Sequence, residues 1–141
     1  MFTYEYPRPA LTADIVLFNL ERTQVLLIRR GNEPYKDCWA FPGGFFDMTD
    51  RDIEHTAARE LQEETGLADI TLAMACVASR EGRDPRGRTV SVIFTASVDP
   101  STISPRGGDD AAEARWWPLN ALPPLAFDHS EVLGRILAAK A

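Results

Sequence analysis

Phe41-Pro42-Gly43-Gly44-Phe45-Phe46-Asp47-Met48-Thr49-Asp50-Arg51-Asp52-Ile53-Glu54-His55-Thr56-Ala57-Ala58-Arg59-Glu60-Leu61-Gln62-Glu63-Glu64-Thr65-Gly66-Leu67 decides the reading of this chain. It opens on a glycine loop, Pro42-Gly43-Gly44, and runs into a helix that stops at Gly66, a residue suited to the left-handed turn that ends helices. Glu60, Glu63 and Glu64 stand three and four residues apart, so like charges crowd one side of that helix. A solvated acidic face is the ordinary explanation of such a run. The helical angles oppose it. At about 100° per residue from Ile53, Ala57 falls near about +40° and Leu61 near about +80°, while Glu60 and Glu64 fall at about −20° and about +20°. Two of the three glutamates therefore share the apolar, inward stripe. Carboxylates at the edge of a core must be protonated, paired or bound to a cation, because a desolvated lone charge is costly. Carboxylate and carbonyl oxygens suit Mg²⁺ or Mn²⁺, ions commonly shared with substrate phosphates.

The nine contiguous residues Arg59-Glu60-Leu61-Gln62-Glu63-Glu64-Thr65-Gly66-Leu67, following Gly43-Gly44, resemble the signature box of the Nudix hydrolases, which cleave nucleoside diphosphates linked to another group. The first half of the box departs from the pattern. The family places five residues between its glycine and a glutamate and seven more before the arginine, whereas this chain has fourteen residues between Gly44 and Arg59. Counted forward from Gly44 the glutamate position holds Asp50, and counted back from Arg59 it holds Arg51. The loop from Asp47 to Asp52 thus carries one extra residue, and no role is assigned to that position.

Outward from the box, the composition is that of a globular protein. The 141 residues make one domain's worth of chain, expected to be a single Nudix domain with its box at about 43–67. A net charge of −6 gives no electrostatic footprint for nucleic acid or an anionic membrane, so neither is an expected partner. Cys38 and Cys76 have no metal-type spacing and are too few for a disulfide framework, which points to a reducing cytoplasm. No leader pattern and no bilayer-length apolar run is present.

Before the box, Ala13 to Phe18 and Gln24 to Ile28 read as a β-hairpin, followed by Arg29-Arg30, a polar loop and the short apolar piece Trp39-Ala40-Phe41. After it, Ile70 to Ala78 is apolar throughout and reads as a buried strand. Ser79 to Arg88 is a turn-rich loop with four arginines, the densest basic patch in an acidic protein. Thr89 to Val98 is a long β-branched strand, and Ala114 to Pro118 a short last one. Asp128, with Glu131 three residues on, predicts the N-cap of a C-terminal helix reaching Ala139. Phe127 is expected in the core and His129 as a partly exposed structural histidine. Strands interleaved with helices in this order predict an α/β sheet covered by helices. The resemblance implies the Nudix-type α/β/α sandwich with a mixed sheet.

Three flanking stretches, Arg29 to Gly44, Gly82 to Gly87 and Leu125 to His129, together resemble the ADP-ribose pyrophosphatase branch of that family. Some members of the wider group are transcription regulators with a DNA-binding module after the Nudix domain; this chain ends at Ala141, so none is expected. The resemblance implies that Glu60, Glu63, Glu64 and the Gly43 carbonyl bind Mg²⁺, or Mn²⁺, and that a pyrophosphate bond is hydrolysed, ADP-ribose giving AMP and ribose 5-phosphate. Arg59 is placed to orient Glu63 four residues away. Glu60 and Glu63 are candidates for base chemistry, with Asp109, Asp110 and Glu113 in a later loop as others. Arg30, Arg83 and Arg86 are expected on the phosphate side of a small nucleotide diphosphate substrate. A homodimer through the N-terminal segment is also implied. Three alternatives remain open: hydrolysis of nucleoside triphosphates with release of pyrophosphate, a non-catalytic nucleotide sensor, and an interaction domain.

Overall fold

The structure is a computed structural model that describes residues 3–108 and 111–139. Seven strands form one mixed sheet: β1 (Ala10–Asn19), β2 (Gln24–Arg30), β3 (Trp39–Ala40), β4 (Gly43–Phe45), β5 (Ala73–Ala78), β6 (Thr89–Val98) and β7 (Ala111–Pro118). Among the described residues two helices cover it, α1 (Ile53–Thr65) and α2 (His129–Ala139), and a 3₁₀ turn spans Pro100–Thr102.

β1 is the central strand. Ala13 through Asn19 are all buried, as expected of a strand packed on both faces, where the sequence reads as a continuous apolar run. Its alternation divides the core. Val16 and Phe18 join Val25, Leu27, Ile93, Val132, Leu133 and Ile136 on the α2 face. Ala13, Ile15 and Leu17 join Leu26, Phe94, Ala57 and Leu61 on the α1 face. The period of two along β1 thus serves two cores at once, which is the α/β/α sandwich. Each fully buried branched or aromatic side chain here contributes about 1.5–3 kcal/mol of apolar burial.

β1 pairs in parallel with β6 along its whole length, Ala10 opposite Thr89 to Asn19 opposite Val98. On its other edge the pairing forks. β1 and β2 meet antiparallel at the closed end of the hairpin, Phe18 opposite Val25. Toward the open end, β4 takes over beside β1, Thr12 to Asp14 opposite Phe45 to Gly43, while β3 and β7 pair with β2. The stretch read as a glycine loop is therefore a short strand. Glycine is required at 43 by close approach, where a Cβ would lie 2.4 Å from the Ala13 carbonyl oxygen and 2.2 Å from Asp14 Oδ1, while one on Gly44 would lie 2.2 Å from Glu60 Oε2 and displace that carboxylate.

α1 begins where the Asp52 side chain accepts the His55 N–H at 2.8 Å. It ends at Gly66, in the left-handed region at φ 79°, whose N–H returns to the Gln62 carbonyl at 2.8 Å. The loop before β7 docks on that helix end: the Arg106 N–H donates to the Thr65 carbonyl at 2.7 Å.

One expectation is corrected. Ile70 to Ala78 is not one buried strand: Ile70 and Leu72 pack against the α1 core before the strand starts, and β5 itself is the sheet's outer strand with Met74 and Val77 exposed. Asp128 stands at the N-cap position of α2 as expected, its carbonyl accepting the Val132 N–H at 3.0 Å, and both its side-chain oxygens bind Arg83.

Candidate active site

A cleft of about 570 Å³ opens at the fork in the sheet, between the end of β1, the β4 strand, the start of the loop after β2 and the 83–91 segment. One end is acidic. The Gly43 N–H donates to Glu64 Oε1 at 2.8 Å, and Glu60 presses its carboxylate against Gly44. Glu64 is buried and the Glu60 side chain is 15% exposed, so both face inward as the helical angles require. Glu63 points away: its side chain is 39% exposed and it lies outside the cleft lining.

Arg59 organises these carboxylates. Its Nη1 donates to Glu60 Oε2 at 3.1 Å and to Glu63 Oε1 at 3.0 Å. Its Nε and Nη2 hold the two oxygens of Asp50 at 2.8 and 2.9 Å, and Nη2 also reaches the Phe45 carbonyl at 3.2 Å. Asp50, its side chain 1% exposed, accepts further from Thr56 Oγ1 at 2.8 Å and the Asp47 N–H at 3.0 Å. The hydrogen bond from Arg59 holds the Asp50 carboxyl well below the usual carboxylate range, and the same pairing raises Arg59.

The opposite wall is basic and aromatic. Arg83, buried, makes a two-pronged pair with Asp128, Nε to Oδ2 at 2.9 Å and Nη2 to Oδ1 at 2.8 Å, and Nη1 donates to Ser91 Oγ at 2.7 Å. Asp84, buried, holds Arg86 through Nε at 3.1 Å and Nη2 at 2.9 Å. Arg30 Nε donates to the Pro34 carbonyl at 2.7 Å. Between these ends sit Asp14 and His129, with Asp14 Oδ2 3.9 Å from His129 Nε2. His129 Nδ1 accepts the Phe41 N–H at 3.2 Å, so a neutral ring carries its proton on Nε2, toward Asp14. Burial pushes His129 down to about 3 and Asp14 up to about 7.

The donor set fits a divalent ion in a particular way. Among the described residues no three His, Cys, Asp or Glu side chains form a ready metal cluster. Two inward carboxylates beside a strand of backbone amides and carbonyls suit Mg²⁺, which binds through one or two carboxylates and takes other ligands from substrate phosphates and water.

A family model described as NUDIX domain matches residues 8–138. The chain belongs to the NUDIX domain family. It is 39% identical over 128 residues to the ADP-ribose pyrophosphatase of Methanocaldococcus jannaschii, covering 91% of this chain and 73% of that protein. It is 34% identical over 139 residues to the ADPR responsive transcriptional repressor NtrR of Acinetobacter baylyi, covering 95% of this chain but 55% of the repressor, so it spans just over half of that relative. Its fold matches the NUDIX domain of Shewanella oneidensis NrtR complexed with ADP ribose at a TM-score of 0.88 and 31% identity, covering 96% of this chain and 91% of that one.

Within this NUDIX domain the fold brings Gly43, Arg59, Glu60, Glu64, Arg30, Arg83 and Arg86 to one cleft and sets Glu63 beside it. Glu113 sits on β7 in an ion pair with Arg29 at 3.6 Å, away from the cleft; Asp109 and Asp110 lie outside the described residues. His129 is buried, not partly exposed, because it stacks on Phe41 with ring centroids 4.4 Å apart. Phe127 packs partly on the small core under β3 but also lines the cleft, so it is not simply a core residue. Sequence reasoning missed Asp14, Ser91 and Asp84. Asp50 had a signal, the forward count from Gly44, and its pair with Arg59 puts the extra residue between Asp50 and Arg59.

Proposed function

We propose that this protein hydrolyses the pyrophosphate bond of a nucleoside diphosphate linked to another group, with ADP-ribose giving AMP and ribose 5-phosphate. The observation that carries the reading is the polarity of one cleft: paired Glu60 and Glu64 at one end, and arginines at the other. A diphosphate with its divalent ion complements both ends, because the ion is drawn to the carboxylates and phosphate oxygens to guanidinium groups. Glu60 and Glu64, joined by the Gly43 carbonyl, would hold Mg²⁺, with Mn²⁺ as a substitute. When bound, the ion supplies phosphate-charge neutralisation and water activation.

The chain's own contribution is positioning. The Gly43 N–H fixes Glu64, and Arg59, itself fixed by Asp50, fixes Glu60 and Glu63. Water adds at one phosphorus, the bridging oxygen leaves with its electron pair, and the water's protons pass to the products or to solvent. The 39% identity to an ADP-ribose pyrophosphatase supports ADP-ribose as the first substrate to test. The free Cys38 and Cys76 fit a reducing compartment such as the cytoplasm, and no helix among the described residues is long and apolar enough to cross a membrane. The test is incubation with ADP-ribose and Mg²⁺ and separation of the products. AMP and ribose 5-phosphate are expected; no turnover across a panel of nucleoside diphosphate compounds overturns the reading.

A second reading is a nucleotide-responsive domain without turnover. It is favoured by the Arg59 guanidinium already seated between Glu60 and Glu63, and by the similarity to a repressor named for its response to ADPR. Saturable ADP-ribose binding without product formation selects it.

A further inference from the structure

The chain changes neighbours at Phe41. Up to Ala40 it runs beside β2, with Ile28 opposite Ala40, and from Gly43 it runs beside β1, with Asp14 opposite Gly43. Phe41 is buried and lies outside both pairings, so its N–H has no strand to donate to, and an amide left unpaired in a core is costly. The start of α2 is brought alongside by a bracket on β3: the Trp39 N–H donates to the Pro124 carbonyl at 3.1 Å and the Ala126 N–H to the Trp39 carbonyl at 2.7 Å, tying residues 124–126 to that strand. His129 then supplies what the strands do not. Its Nδ1 accepts the Phe41 N–H at 3.2 Å, and its ring stacks on the Phe41 ring with centroids 4.4 Å apart and an interplanar angle of 16°. The same imidazole faces Asp14 Oδ2 from Nε2 at 3.9 Å, and Asp14 Oδ1 lies so near Gly43 that no Cβ fits there. Beyond Phe41, the Pro42 carbonyl accepts the Ile15 N–H at 2.8 Å and the Gly43 N–H donates to Glu64 Oε1 at 2.8 Å. Phe41, Pro42 and Gly43 are thus each held by a different element: α2, β1 and α1.

We infer that His129 is a positioning residue for the acidic end of the cleft: by accepting the Phe41 N–H it holds the crossing in the place from which the Gly43 amide meets Glu64. Only Pro42 separates Phe41 from Gly43, and its ring locks φ, so a shift of the Phe41 peptide is passed on to Gly43 instead of being absorbed between them. A neutral imidazole suits this task because it offers an acceptor at Nδ1 and a flat face for the Phe41 ring at once. The role is indirect, carried through the backbone of residues 41–43. It rests on the reading of Glu64 and the Gly43 carbonyl as the ion-holding end, and adds that their geometry is set from α2 as well as from α1.

The experiment uses the full chain and its His129→Leu, His129→Asn and His129→Gln variants. Amide hydrogen exchange at Phe41 and Gly43 is followed by NMR, Mn²⁺ affinity without nucleotide by electron paramagnetic resonance, and kcat and KM are measured for ADP-ribose. Asparagine places its amide oxygen as many bonds from the backbone as Nδ1, whereas glutamine reaches to the place of Nε2. The leucine and glutamine variants are expected to lose protection at both amides by about tenfold or more, to bind Mn²⁺ about tenfold more weakly, and to lose kcat with KM moved by less than about twofold. The asparagine variant should restore all of these to within about threefold of the wild type. If the leucine variant fails to fold, the comparison of asparagine with glutamine decides. Unchanged Gly43 protection in a folded leucine or glutamine variant, or an asparagine variant no better than glutamine, overturns the proposal. A wild type that neither binds Mn²⁺ nor turns over ADP-ribose, with the expected exchange pattern across the variants, would instead overturn the reading of the ion site and leave the hold of His129 on Phe41 and Gly43 standing.

Discussion

The carboxylate of Asp50 grips the guanidinium of Arg59 through two nitrogens, Nε at 2.8 Å and Nη2 at 2.9 Å, from a position buried beneath the box helix. This pair absorbs the irregular spacing of the box. Asp50 holds the place that the forward count from Gly44 gives to the glutamate, and the additional residue lies in the segment between Asp50 and Arg59. Arg59 in turn spends its remaining Nη1 on Glu60 and Glu63.

Asp50 should therefore confer a distinct acid sensitivity. Its carboxyl group titrates below its ordinary value of 3.8 in the folded protein, chiefly through the Arg59 hydrogen bond, so its stabilising effect is complete above about pH 4 and fades as pH falls further. Asp50→Asn is expected to lower stability at neutral pH and to flatten the fall in stability below about pH 4. Urea denaturation followed across pH 2 to 7 measures both; a variant with the wild-type slope in acid would contradict the assignment.

Gly44→Ala tests the packing at the acidic end. The added Cβ would fall 2.2 Å from Glu60 Oε2, so the Glu60 carboxylate must move. The expected result is a folded protein whose ADP-ribose turnover falls by about 10-fold or more, since misplacing a reacting group by about 1 Å costs up to about 100-fold. Steady-state kinetics beside a thermal melt separates this from unfolding.

The three glutamates should not be equivalent. Glu60→Gln and Glu64→Gln, at the inward positions, are expected to reduce kcat by about 100-fold or more, whereas Glu63→Gln, turned toward solvent and Arg59, should cost about 10-fold or less. Equal losses at all three would show that Glu63 also reaches the reacting groups.

Arg83→Met should register as a stability change. The pair with Asp128 is nearly solvent-free, with side-chain exposures of 4% and 11%, and removing one partner leaves an uncompensated charge. A loss of about 3 kcal/mol is expected in denaturant titration. A stable variant with weakened substrate binding would instead show that Arg83 acts chiefly on the phosphates.

The layers of the fold and the carboxylate helix were legible in the sequence because both are local. The apolar runs of β1 and β2, the Gly66 stop and the inward angles of Glu60 and Glu64 depend on residues only a few positions apart. The far wall of the cleft was not legible. Asp14 of β1 meets His129 because the start of α2 is held on Phe41, and Arg83 meets Asp128 across 45 residues, so no spacing rule announces them. Nor does composition separate an outer strand from a central one: β5 is as apolar as β1, yet only its Ala78 is fully buried, because the sheet ends there. Phe127 misled for a related reason, as one ring can rest on a small core and present its other side to a cleft.

The bracket between Trp39 and residues 124–126 ties Phe127 to the sheet, while Glu60 and Glu64 ride on α1. On the proposed reading, the acidic end of the cleft and its far wall are thus carried by different pieces of chain. Changes in the short connecting segments 79–88 or 124–128 that keep His129 in place would reshape the far wall and leave the Glu60 and Glu64 end as it was.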